Sequence, residues 1–201
     1  MDAAQIEAHT KKLQQALTQS PESALKACEE FELEHCGAAD PAAMLPFYRI
    51  HLISYLLLDD LVNARWLWER MPDRIKGDPE LQAVWKVAQH LWKRELKEVY
   101  ALLTSTSWTP PLNSLSASVL EGVRSRQMKL IGQSHSAIAV SDCSEMLGLP
   151  PQEAVARCAV QGWKEEGGFV RPAPPEEEGS PVVGKKLLQD LTEYVCKLDA
   201  R

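Results

Sequence analysis

No apolar run in this chain approaches the roughly eighteen residues that a membrane-spanning helix needs, so no segment reads as a bilayer span. The opening stretch, MDAAQIEAHTKK, has no apolar block behind a basic head, and a secretion signal is not expected there. Glycine-rich phosphate loops are missing, as are HExxH and CxxC patterns, so no nucleotide or zinc motif is legible. Cysteine is present at five positions (28, 36, 143, 158 and 196), an odd number at irregular spacing. That pattern predicts reduced thiols in a cytosolic or nuclear protein rather than a disulfide framework. Bases are fewer than acids, 22 against 28, and the net charge of −6 disfavours phosphate backbones and anionic membranes. Phe and Tyr are scarce, so the aromatic content leans to Trp.

What is there is mostly helical periodicity. Ile6, Leu13 and Leu17 recur at helical spacing before Ser20-Pro21, a cap followed by a first-turn proline. Ala24, Leu25, Cys28, Phe31 and Leu33 carry the next helix towards Gly37. Asp40-Pro41 opens a third, with Leu45, Tyr48, Leu52, Tyr55 and Leu56 on one stripe. LLLDDLVNARWLWERMP is apolar on a helical period and stops at Pro72. Asp78-Pro79 begins a long helix through Val84, Trp85, Ala88, Leu91 and Trp92, and Leu96, Val99, Tyr100 and Leu103 continue in another. LLDDLVNARWL and LWKRELKEVYAL align at an offset near thirty-five residues, a period that suits stacked helical hairpins of the tetratricopeptide kind. Trp66, Trp68, Trp85, Trp92 and Trp108 are expected to pack between these helices.

After Pro110-Pro111 the pattern changes. A helix with Leu115, Val119, Val123, Leu130 and Ile131 near one face ends around Gly132–Ser136. Ser136–Trp163 then reads as strand, helix, turn and helix. Ala137–Val140 is the strand, Ser141 or Asp142 caps the first helix, and Gly148 with Pro150-Pro151 forces the turn. Gln152–Gln161 is the second helix, and Trp163 and Phe169-Val170 are wing strands joined by Glu165–Gly168. That is the outline of a winged helix, which normally suggests DNA binding. The charges disagree. Across this stretch the acids Asp142, Glu145 and Glu153 face one base, Arg157, and Arg124, Arg126 and Lys129 add a modest patch on the preceding helix. Such a set is too small to neutralise the several phosphates that a DNA reader contacts. Pairing of the winged helix with another such domain, through an exposed wing edge, is the better expectation.

Residues 172–184 are Pro-, Glu-, Gly- and Ser-rich and read as a linker. Beyond them Leu187, Leu188, Leu191, Tyr194, Val195 and Leu198 form one apolar stripe on a short helix. Buried, these side chains represent on the order of 10 kcal/mol, whereas a helix so short is marginal alone in water. The linker lets it reach beyond its own domain, and a partner's helices are a better destination than a fold-back. The tail stripe and, second to it, Phe169 are the candidate partner-binding residues.

No catalytic constellation emerges. Gly132-Gln133-Ser134-His135-Ser136 resembles a nucleophile elbow, but lacks the final glycine and precedes a strand instead of following one. Cys28 with His35-Cys36 lacks the spacing of a metal site. No enzyme activity, cofactor or metal is expected. The fold expected is mainly α: helical-hairpin repeats over 1–109, a winged-helix subdomain over 110–171, a linker over 172–184 and an assembly helix over 185–201.

Helical hairpins followed by a winged helix and a tail helix resemble the PCI-domain family. Asp59–Trp68, Met71-Pro72, Ile75-Lys76, Val84-Trp85, Gln89, Leu91-Trp92, Gly148-Leu149-Pro150, Glu153-Ala154-Val155, Gly162-Trp163 and Leu191–Val195 are similar to its small signalosome members. The resemblance runs from about Pro46 to the C-terminus. Cys143 and Met146 depart from it, standing where bulkier aromatics are expected, and so does Gln152 in place of an acid. The resemblance implies a non-catalytic scaffold in the complex that removes Nedd8 from cullins and so regulates cullin-RING ubiquitin ligases. The metalloprotease of that complex resides in an MPN subunit. Other PCI and MPN subunits would be partners, with no small-molecule substrate and no membrane, in cytoplasm and nucleus. Two alternatives stay open: the small PCI subunit of the proteasome lid or of a translation-initiation factor, and a winged-helix nucleic-acid binder.

Overall fold

A computed structural model of the chain describes Leu13 and residues 20–35, 41–173 and 192. Among the described residues the architecture is mainly helical with one small sheet. Helix α1 spans Pro21–His35 and α2 Pro41–Leu57. Next come α3 (Leu61–Arg70), the short α4 (Asp73–Lys76), α5 (Pro79–Lys93) and α6 (Leu96–Ser105). The long α7 covers Leu112–Ser134. The winged helix follows as β1 (Ile138–Ala139), α8 (Val140–Leu147), α9 (Pro151–Val160), β2 (Lys164–Glu166) and β3 (Phe169–Arg171). Leu13 is helical and buried, while Ile6, Leu17, most of the linker and the tail stripe lie outside the described residues.

Side-chain caps set three of the helix starts among the described residues. Ser20 Oγ accepts from the Ser23 N–H at 3.1 Å, with Pro21 at the first helical position. Asp60 accepts from the Asn63 N–H at 3.0 Å, and Asp78 from the Leu81 N–H at 2.8 Å. Each cap satisfies a backbone donor that the first turn leaves without a partner.

The thirty-five-residue repeat is carried by the backbone itself. Asp59 and Arg94, thirty-five residues apart, are the non-glycine residues with positive φ among the described residues, at 60° and 63°. In both turns the two N–H groups fold back onto the preceding helix. Asp59 and Asp60 donate to Leu56 and Tyr55, and Arg94 and Glu95 donate to Leu91 and His90. The same helix–turn–helix joint is therefore built twice, joining α2 to α3 and α5 to α6.

Helix α2 lies at the centre. One apolar stripe was expected; instead Ile50–Leu56 is buried on every side, His51 and Ser54 included. Ser54 survives there because its hydroxyl donates to the Ile50 carbonyl at 2.8 Å. Around α2, the main core contains Leu52, Leu67, Leu81, Val84 and Val99, and extends to Leu112, Val119 and Val123 on α7. A second core holds the winged helix together through Ile138, Cys143, Leu147, Ala154, Cys158 and Val170, and it includes Met128 and Ile131 from the same α7. A third, smaller core joins Phe31 to Phe47, ring on ring at 3.8 Å. The passage from repeats to winged helix thus falls inside α7, between Val123 and Met128, where one rigid helix serves both cores.

Several expectations need correction. Trp68 and Trp85 do pack against each other, stacked at 4.8 Å and nearly parallel, but Trp66 and Trp92 are more than half exposed. Leu33 and Leu130 also face solvent. The first wing-domain strand is only Ile138–Ala139, and Val140 already begins α8, with neither Ser141 nor Asp142 as its cap. Trp163 lies just before β2 rather than within it, and packs against Gly132 of α7, where an added Cβ would sit 3.3 Å from the ring.

Candidate assembly surface

The winged helix is anchored to the repeats by the turn Gly148-Leu149-Pro150. Gly148 has φ +59° and ends α8, where the Gly148 and Leu149 N–H groups donate to Glu145 and Ser144. A Cβ at this position would lie 2.1 Å from Tyr100 Cδ2, so both the backbone and the space demand glycine. Tyr100 comes from α6 and donates its hydroxyl to the Met146 carbonyl at 2.9 Å. Arg124, from α7, donates to the Leu147 and Gly148 carbonyls at 3.1 and 3.2 Å and lies 5.6 Å above the Tyr100 ring. Two repeat-side residues thus satisfy the carbonyls that the end of α8 would otherwise leave open. Sequence reasoning missed this latch. Its one visible signal was the glycine between two helices.

Beyond the latch, the sheet runs β1-β3-β2, all antiparallel. β3 is central, pairing Val170 with Ile138 on one side and with Glu165 on the other. Gly167 and Gly168, both at positive φ, make the two-residue turn. Alternation along β3 buries Val170 and turns Phe169 outward, 51% exposed. Among the described residues β2 has no strand on its outer side, and Lys164, Glu165 and Glu166 are all exposed. Such an edge offers unpaired backbone groups, while its charges discourage indiscriminate pairing. Phe169 also walls a cleft of about 1020 Å³ between the turn at Arg94–Glu98 and the winged helix, with Met146 beside it. The structure therefore places Phe169 at the wing, whereas the tail stripe, Leu187 to Leu198, lies outside the described residues; within 185–201 only Thr192 is described, helical and exposed.

Of the four cations that a nucleic-acid reader would use here, Arg157, Arg124 and Arg126 are occupied, while Lys129 is exposed. Arg157 pairs with Glu121, a contact that holds the glutamate below the usual carboxylate range. Arg124 is spent in the latch. Arg126 donates to the Leu57 carbonyl and pairs with Asp59 at 3.5 Å, bracing the first repeat turn. Ser134 sits at the end of α7, donating to the Leu130 carbonyl at 2.7 Å, with His135 Nδ1 2.6 Å away and no carboxylate to orient it. Cys28 is buried, its thiol pushed up to about 12 by that burial and by Glu29 and Glu32. Cys143 and Cys158 are buried thiols 3.7 Å apart. Among the described residues no group of His, Cys, Asp and Glu is arranged to hold a metal ion, and no helix is long and apolar enough to cross a membrane.

A family model described as CSN8/PSMD8/EIF3K matches residues 42–181, from the start of α2 through the wing and beyond. The chain belongs to the CSN8/PSMD8/EIF3K family. Within that family it is similar to a Xenopus laevis protein named COP9 signalosome complex subunit 8, with 34% identity covering 86% of this chain and 89% of the relative. Relatives of the same name occur in Arabidopsis thaliana, at 29% identity over 76% of this chain and 79% of the relative, and in Drosophila melanogaster, at 27% over 85% and 91%. The region matched by the CSN8/PSMD8/EIF3K model contains the repeat joints, the Tyr100–Gly148–Arg124 latch and the β2 edge. It therefore spans both cores that share α7.

Proposed function

We propose that this chain is a non-catalytic scaffold subunit of a COP9 signalosome, the complex that removes Nedd8 from cullins and so regulates cullin-RING ubiquitin ligases. The observation that carries this reading is the one name shared by relatives in an amphibian, a plant and an insect. The geometry supports it. Arg124, Arg126 and Arg157 are committed to internal contacts, and among the described residues the sheet keeps an open edge at β2, beside the strand that carries Phe169. A domain with few free cations and an unpaired strand is suited to strand-edge assembly. In this reading the repeats and the winged helix, which share α7, form the body. The linker (172–184) then delivers residues 185–201, whose stripe Leu187, Leu188, Leu191, Tyr194, Val195 and Leu198 enters a bundle with helices of other subunits. Neighbouring PCI and MPN subunits are the partners, the MPN type supplies the metalloprotease, and the complex works in cytoplasm and nucleus.

The test is size-exclusion co-migration of a tagged full chain, with identification of what travels with it. Signalosome subunits should co-migrate, and removal of residues 185–201 should leave a folded chain that no longer does. Co-migration with proteasome-lid or initiation-factor subunits would overturn the assignment. Undiminished incorporation of the shortened chain would overturn the role of the tail.

A further inference from the structure

A second surface lies on the repeats, away from the elements used above. Between α3 and α5 there is a slot of about 180 Å³ whose walls are Leu61, Trp85 and Ala88, with Arg65, Gln89, Trp92 and Lys93 around it. Apolar cavities of roughly 150 Å³ accept a benzene-sized guest, so this slot suits one aromatic or branched aliphatic side chain. Its back wall is firm, because Trp85 is stacked on Trp68 and Lys76 lies 5.9 Å from the Trp68 ring.

Its exposed parts are unusual for a chain of this charge. Trp92 is 54% exposed and so is Val62, while Trp66 is 61% exposed. Val62 and Trp66 lie one helical turn apart on α3, on a stripe next to that of Leu61 and Arg65. An exposed indole in the wall of an apolar slot, as Trp92 is, is a feature of binding surfaces rather than of solvated helix faces. The lining contains two cations and no acid, although the whole chain is net acidic at −6. Neither Arg65 nor Lys93 has an ion-pair partner among the described residues.

We propose that this slot is a docking site for an acidic peptide segment of a partner protein, which inserts one bulky apolar side chain between Trp85 and Trp92 and sets its carboxylates against Arg65 and Lys93. The anchor residue supplies affinity by leaving water, and the two cations select against neutral or basic segments. Arg65 also offers a planar fork suited to bidentate carboxylate contact. The site is separate from the wing edge, so, on the scaffold reading proposed above, it adds a recruiting function to the subunit.

The test is selection of a random-peptide phage library against the full chain at moderate salt, followed by affinity measurement of synthetic versions of the enriched peptides. Enriched peptides should carry a Phe, Trp or Leu within an acidic run. Their affinity should fall about tenfold or more with Trp92→Ala, and by a similar factor with Arg65→Glu plus Lys93→Glu. It should also weaken with added salt. All three positions are exposed, so unchanged circular-dichroism melting of the variants separates lost binding from lost folding. Enrichment of neutral or basic peptides, binding indifferent to these variants, or no enrichment would each overturn the proposal. So would a concentration-dependent dimer abolished by Trp92→Ala, which assigns the slot to a second copy. Peptide binding that emerges only after removal of residues 174–201 assigns the slot to the chain's own tail and overturns it equally.

Discussion

Gly148→Ala is the sharpest probe of how the two halves are joined. The added methyl meets two separate obstacles. The backbone sits at φ +59°, where an L side chain costs roughly 1 kcal/mol relative to glycine. The Cβ also arrives 2.1 to 2.7 Å from three ring atoms of Tyr100. That ring cannot swing away freely. It is 5% exposed, its hydroxyl is bonded to the Met146 carbonyl, and Arg124 covers one face. Forcing it aside is overpacking, worth about 1–3 kcal/mol, so Gly148→Ala should cost about 2–4 kcal/mol in all. The assay is urea unfolding at constant temperature, arranged as a double-mutant cycle with Tyr100→Ala. In the Tyr100→Ala background the clash is gone, and the methyl should cost only the roughly 1 kcal/mol of backbone strain. Equal costs in the two backgrounds would refute the close approach of ring and turn. A cost well below 1 kcal/mol in both would refute the left-handed backbone as well.

Other outcomes follow from the central helix and the caps. His51 is buried on α2, near Glu32 at 3.6 Å, with Arg70 taking the same carboxylate and Tyr55 stacked at 4.9 Å. Burial pushes its pKa down to about 4 from 6.5, despite the opposing pull of Glu32. The folded state therefore stays neutral while the unfolded chain takes up a proton. Stability should be fully present above pH 6.5 and fall by about 3 kcal/mol as pH drops to 4. His51→Gln should flatten that slope in pH-dependent urea titrations, and an unchanged slope would count against it. Arg49 holds both Asp78, at 2.9 Å through Nε, and Glu80, whose other contacts are the Thr109 N–H and hydroxyl. Arg49→Met should cost about 2–3 kcal/mol, less than a fully buried pair because the group is partly solvated; thermal unfolding reads this directly. Leu67→Ala, in the main core with no exposure, should cost about 2–5 kcal/mol in the same measurement. Phe169→Glu should leave stability within about half a kcal/mol while weakening co-migration with partner subunits; a large loss of stability would show that Phe169 packs inside the fold.

Two helix starts were legible because they are local: Ser20 and Asp78 cap within three residues of themselves, and no distant contact is needed to read them. The start at Val140 was not, since neither Ser141 nor Asp142 caps it. The repeat was legible as a faint periodic match. Its physical content, the paired left-handed turns at Asp59 and Arg94, is invisible in residue type, since neither is glycine. Burial was read less well. Periodicity put Trp66 and Trp92 in the core because indoles are usually buried, but which face of α3 and α5 meets a neighbour depends on where α2 lies. The same central position buried α2 on all sides and erased the single stripe its sequence suggested.

The Gly148 turn divides the two kinds of information most clearly. By itself, the sequence determined that a helix ends there, since Gly-Leu-Pro-Pro cannot continue one. It also determined the element order of the winged helix and the scarcity of cations on it. Only the tertiary structure decided that Tyr100 and Arg124, from helices that end or begin many residues earlier, close that turn. Only it decided that one unbroken α7 feeds two cores, and that Arg65 and Lys93 share a slot whose lining, among the described residues, holds no acid. Caps and turns are set by neighbours along the chain, whereas shared cores and unanswered charges exist only after helices far apart in sequence have packed.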